Sequence, residues 1–110
     1  DGEGTYFSWF LWDLDDSFEG TTFGAHVHVG PCVPGNGAAA GPHYNSGGPA
    51  DPEHEVWLDF TVEAGGVGWA EAWVPFVIPA GAARSIVVHA LPTDATGAAG
   101  GRIACLPVDF

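Results

Sequence analysis

The sequence predicts an all-β domain, an antiparallel sandwich or barrel, on three observations. Seventeen Gly and nine Pro among 110 residues favour short strands joined by turns over long helices. Six segments read as strands and none as a convincing helix. Turn-rich stretches separate the six, as expected of a single domain of packed antiparallel strands.

Taken in order, residues 5–14 (TYFSWFLWDL) are dense in aromatics and read as the first strand, ended by an acidic turn over 15–20. Residues 21–29 alternate: Phe23, Ala25, Val27 and Val29 fall on one face and Thr22, Gly24, His26 and His28 on the other. Residues 30–52 form a Gly/Pro/Ala loop without hydrophobic period. Residues 55–62 (EVWLDFTV) read as a strand, 63–66 as a turn, and 67–77 as a strand carrying Trp69 and Trp73 and broken by Pro75. Residues 85–89 (SIVVH) form a short buried strand, 91–101 a second Gly/Ala loop and 102–108 (RIACLPV) the last strand. Loops of 23 and 11 residues stand out in so small a domain, where long structureless loops are usually either functional or disordered.

The apolar fraction of 46%, with five Trp and seven Phe, is that of a folded chain. Fourteen Asp and Glu stand against two Arg, Arg84 and Arg102, for a net charge of −12. Such a surface repels phosphate backbones and anionic lipid and attracts cations, which argues against nucleic-acid binding. No apolar run approaches the roughly 18 residues of a transmembrane helix. Cys32 and Cys105 lack the paired spacing of a zinc ribbon and are open to two readings, a long-range disulfide or two buried thiols. The chain begins at Asp1 without a Met, which suggests processing or trimming.

His26 and His28, two apart on a strand, place both imidazoles side by side on one face, a spacing that suits tetragonal copper or zinc. It also suits two polar surface positions. His43 lies in the long loop and His89 ends a strand, both places where sites form. His54 reads as a solvent-facing ring.

Five collinear pieces resemble the copper/zinc superoxide dismutase family: GAHVHVGPC (24–32), GPHYN (41–45), GGP (47–49), IVVHA (86–90) and TGAAGGRIAC (96–105). Together they cover about a third of the chain directly. The resemblance implies a Greek-key β-sandwich over residues 1–110 and one copper per chain held by His26, His28, His43 and His89. It implies catalytic roles for His43 and Arg102, the latter guiding superoxide to the metal. It further implies that Thr96 narrows the entrance and that Cys32 and Cys105 are bridged. A bridge places the protein outside the cytoplasm, whether secreted, periplasmic or in the cell envelope.

Three departures mark the chain off within that resemblance. The positions of the family's zinc ligands fall on Ser46, Glu55 and Leu58. His54 and Asp59 each lie one residue away, where a strand turns its side chain to the opposite face. The loop before Arg102 is short. Both features resemble the copper-only branch, in which a glutamate stands behind the bridging histidine; Glu55 is the candidate here, and no zinc is expected. Only 25 residues precede His26, so two N-terminal strands of the family are lacking and one sheet is expected to hold two strands. Upstream residues or a partner subunit would complete it. The implied reaction is dismutation of superoxide to dioxygen and hydrogen peroxide, with His43 exchanging a proton as copper changes oxidation state. The alternative reading is a dismutase-like copper-binding or structural module of little turnover, part of a larger assembly.

Overall fold

A computed structural model of the chain describes residues 4–108. The start at Asp1, read above as a mark of processing, lies outside them. Among the described residues there are six strands: β1 (Thr5–Leu11), β2 (Thr22–His28), β3 (Phe60–Thr61), β4 (Gly68–Val74), β5 (Ser85–His89) and β6 (Arg102–Pro107). The two helical pieces, Asp16–Phe18 and Gly37–Ala40, are short 3-10 turns. The strands form two antiparallel sheets, β1-β4 and β3-β2-β5-β6. The all-β sandwich expected from the sequence is therefore the fold observed.

In the two-stranded sheet the period-2 pattern is complete. Phe7, Trp9 and Leu11 of β1 point inward, opposite the small Ala72, Ala70 and Gly68 of β4. Large residues on one strand thus fill the space left by small ones on the other. Trp9 meets Phe60 of the second sheet edge to face, with ring centroids 5.6 Å apart. Phe23, Ala25 and Val27 from β2, Ile86 and Val88 from β5, and Val56 and Leu58 complete the core. β1 ends at Leu11, short of residue 14, because Asp13 turns the chain in a left-handed conformation (φ 65°). β4 stops before Pro75, which has no N–H to donate.

The segment 55–62 departs from expectation. Only Phe60–Thr61 is ladder strand, although the alternation holds: Val56, Leu58, Phe60 and Val62 are all core. The reason is local. Leu58 N donates to Ala25 O, but the N–H of Ala25 goes to the Asp59 carboxylate at 3.2 Å, where a continuing ladder would offer a carbonyl. The long loop is likewise more ordered than its composition suggests, with the 3-10 turn and bridges pairing His28 with His43 and Val33 with Asn36.

Cys32 and Cys105 form a disulfide across a separation of 73 residues, joining the loop after β2 to β6. In the chain-entropy account such a link stabilises by about 4 kcal/mol. Among the described residues no helix is long and apolar enough to cross a membrane. The bridge is compatible with a location outside the cytoplasm.

Candidate metal centre

The site grows on the face of β2 that points away from the core. Antiparallel register sets Gly24 opposite His89 and His26 opposite Val87, so His26, His28 and His89 share one face. Sequence alternation would leave that face to solvent. Instead the loops after β2 and β5 fold over it, and β2 is buried on both sides from Phe23 to His28. The second loop can settle there because residue 24 is Gly: a Cβ would stand 2.6 Å from Ala99 Cβ and 2.7 Å from Leu91 O. The first loop brings His43 beside His28. His26, His28, His43 and His89 thereby present one ring nitrogen each, all within 4.8 Å of one another.

Each ring has one nitrogen tied. His28 Nδ1 lies 2.8 Å from the Gly41 carbonyl and His89 Nδ1 lies 3.1 Å from the Gly100 carbonyl. His43 Nδ1 lies 2.9 Å from Glu55 Oε1. Carbonyls and carboxylates only accept, so these nitrogens carry protons and leave Nε2 as the nitrogen each ring can offer to a metal. His26 is reversed. Its Nε2 is 2.7 Å from Thr93 Oγ1, whose hydroxyl donates to Asp59 Oδ1 at 2.6 Å. The Thr93 oxygen must then accept from His26 Nε2–H, and His26 Nδ1, buried without a hydrogen-bond partner, is bare.

Burial pushes His26 down to about 2 and His28 to about 4, aided at His26 by the neighbouring rings. His89 is also lowered, mainly by burial. The three rings are accordingly neutral at pH 7. Nε2 of His28 and Nε2 of His89 sit 3.3 Å apart, two lone pairs with no proton to share. A buried orphan nitrogen and two facing lone pairs are costly unless a cation lies among them. Two donors on one ion with bonds of about 2.0–2.1 Å can be no more than about 4.2 Å apart, so the 4.8 Å span is within a small closing movement of a metal site. The residues fit a metal with nitrogen preference.

The carboxylates behind the rings are themselves held. Glu55, 5% exposed, accepts from His43 and Trp57 Nε1 through Oε1 and from Asn45 Nδ2 through Oε2. Asn45 Oδ1 in turn accepts the amides of Gly47 and Gly48. Asp59 accepts Thr93 N–H at 2.8 Å as well as the Thr93 hydroxyl. Asp59, set aside in the sequence because of its one-residue offset, thus stands on the site face, while Leu58 is packed in the core. Asn45, Trp57, Asp59 and Thr93 are the site neighbours that sequence reasoning missed. The alternation of 55–62 held the signal, since Val56, Leu58 and Phe60 inward put Glu55, Trp57 and Asp59 together on the other side.

The structure places the remaining sequence candidates less centrally. Arg102 lies opposite His89 in the β5-β6 register, is exposed, and donates from Nη1 to Gly37 O at 2.9 Å. Its charge helps to lower His28 and His89. Thr96 is folded onto its own loop, its amide and hydroxyl both held by Asp94 Oδ1. Ser46 donates its amide to His54 O, and His54 pairs with Asp51 at 2.8 Å, half-buried and apart from the cluster.

No protein-family model matches the chain, and comparison with curated proteins gives no match. Fold and site define a disulfide-linked β-sandwich with a cluster of four histidines able to hold a metal ion.

Proposed function

We propose that the chain is a copper-dependent superoxide dismutase, converting two superoxide anions and two protons to dioxygen and hydrogen peroxide. The observation that carries this reading is the set of four imidazoles that offer one nitrogen each within 4.8 Å of one another, every ring fixed by an acceptor on its other side. Copper held by imidazoles would supply the one-electron oxidation and reduction that the reaction needs. The motifs resembling the copper/zinc superoxide dismutases support the choice of copper.

His43 is the ring that meets solvent, its side chain 20% exposed while His26 and His28 are fully enclosed. Glu55 keeps the Nδ1 proton of His43 in place, so a second proton taken at Nε2 makes an imidazolium beside a carboxylate. That pair gives His43 a means of holding and releasing a proton at Nε2 without turning its ring. Glu55 thereby does for His43 what a second metal would do in the resembling enzymes, and no zinc is assigned. Arg102 supplies local positive charge beside the site on a protein of net charge −12, where an anionic substrate otherwise meets repulsion.

One observation favours the second reading, a metal-holding module of little turnover: Thr96 turns to Asp94 and the Arg102 guanidinium is engaged by Gly37. The deciding experiment is metal analysis of copper-loaded protein with stopped-flow superoxide decay. About one copper per chain, negligible zinc and fast decay that a chelator abolishes are expected. Copper without decay would leave the binding module, and equimolar zinc would sink the assignment of Glu55.

A further inference from the structure

We infer that Asp59, acting through Thr93, sets the tautomer of His26 and so decides which of its nitrogens is offered to a metal. The inference rests on the cluster being a metal site and is independent of dismutation.

His26 differs from its three neighbours in the nature of its partner. Carbonyls and a carboxylate can only accept, so His28, His89 and His43 have no choice of tautomer. His26 instead meets a hydroxyl, which both donates and accepts, and a hydroxyl alone permits either tautomer. The choice therefore lies one group further out. Asp59 receives the Thr93 hydroxyl proton at 2.6 Å and grips the Thr93 amide at 2.8 Å, which fixes the residue as well as its proton. The hydroxyl has one hydrogen. With that hydrogen on Asp59, the oxygen can only accept from His26 Nε2–H, and Nδ1 is left bare in the interior of the cluster. Reversing the hydroxyl would move the ring proton to Nδ1 and point it into the metal position. Asp59 and Thr93 are positioning residues, since neither belongs to the cluster of metal-ligating groups.

The replacement Asp59→Asn keeps the shape and changes the direction of donation. Its oxygen can stay on the Thr93 amide, with its NH2 toward Thr93 Oγ1, at the expense of the longer 3.2 Å bond from Ala25 N. The Thr93 hydroxyl is then free to donate to His26 Nε2, which favours the Nδ1–H form. Thr93→Val removes the hydroxyl at nearly constant volume, and Thr93→Ser keeps it.

The test uses the histidine ring nitrogens, read by 15N NMR on the metal-free protein, with copper(II) chloride as the metal probe in a competition titration. Wild type should show His26 protonated at Nε2. Asp59→Asn should transfer that proton to Nδ1 and weaken copper(II) binding by about ten- to a hundredfold. Thr93→Val should lose the hydrogen-bond shift of Nε2–H with a similar loss of affinity, and Thr93→Ser should restore both. Weaker binding with an unchanged His26 tautomer in Asp59→Asn would overturn the inference, because a merely structural role does the same. If Asp59→Asn fails to fold, Thr93→Val decides, and wild-type behaviour of that variant in both readouts overturns it. A tautomer that responds as stated in a protein that binds no copper leaves Asp59 and Thr93 in control of the His26 proton but overturns the part of the inference that concerns a metal.

Discussion

The two sheets of the sandwich use the same alternation to opposite ends. In the β1-β4 sheet one face is core and the other is water, with Tyr6, Phe10, Trp69 and Trp73 between 51% and 59% exposed around Ser8 and Glu71. In the four-stranded sheet the outward face of β2 and β5 is buried as well, because two loops close over it. The pattern of side chains is alike, and the cover is what differs. Where aromatics are left uncovered they need no partner. Where histidines are covered every polar atom must be accounted for, and the cost of burial appears as depressed proton affinity and an orphan nitrogen.

The contrast can be broken most severely at the tether of the cover. Replacing Cys32 and Cys105 by Ser should cost about 4 kcal/mol in urea unfolding. A loss below about 1 kcal/mol would mean that the loop is held by its own contacts. Next comes the shared core. Leu58→Ala, at a residue 1% exposed, should cost about 3 kcal/mol by the same measurement, the range for buried Leu being about 2–5 kcal/mol.

A third effect is confined to the covered face. The folded proton affinities of His26, His28 and His89 lie below that of an unfolded histidine. Between pH 6.5 and about 4 the unfolded chain therefore binds more protons, and their contribution to stability, complete above pH 6.5, falls as the pH falls. The urea midpoint of metal-free protein should drop across that window, and a flat profile would show that the rings take protons without unfolding. The smallest effect belongs to the open face. Trp73→Thr, at a residue 58% exposed and paired with Tyr6, should change stability by no more than about 1 kcal/mol. A larger loss would show that the aromatic pairs are structural.

The legibility of the sequence follows the same division. Strand positions and the sandwich could be read because alternation and turn residues act locally, and β5 matches its expected bounds of Ser85–His89. The convergence of His26, His28, His43 and His89 was expected from motifs rather than from spacing, which permitted surface histidines equally well. The Asp59–Thr93–His26 chain was not legible, since it joins residues 34 and 67 positions apart through a loop whose path no local pattern encodes. The break in the segment 55–62 has the same origin. A side chain took a backbone donor, and composition cannot show which acceptor an amide will choose.

The tautomers have a consequence for charge. The three buried rings, His26, His28 and His89, are neutral and offset none of the charge of an ion seated among them. The cost of drawing an ion out of water rises with the square of that charge. Its attraction to Glu55 and Asp59, each one or two groups removed, rises only in proportion. The neutral rings thus leave the charge of an ion to be met from behind them, by the carboxylates that tie His43 and, through Thr93, His26.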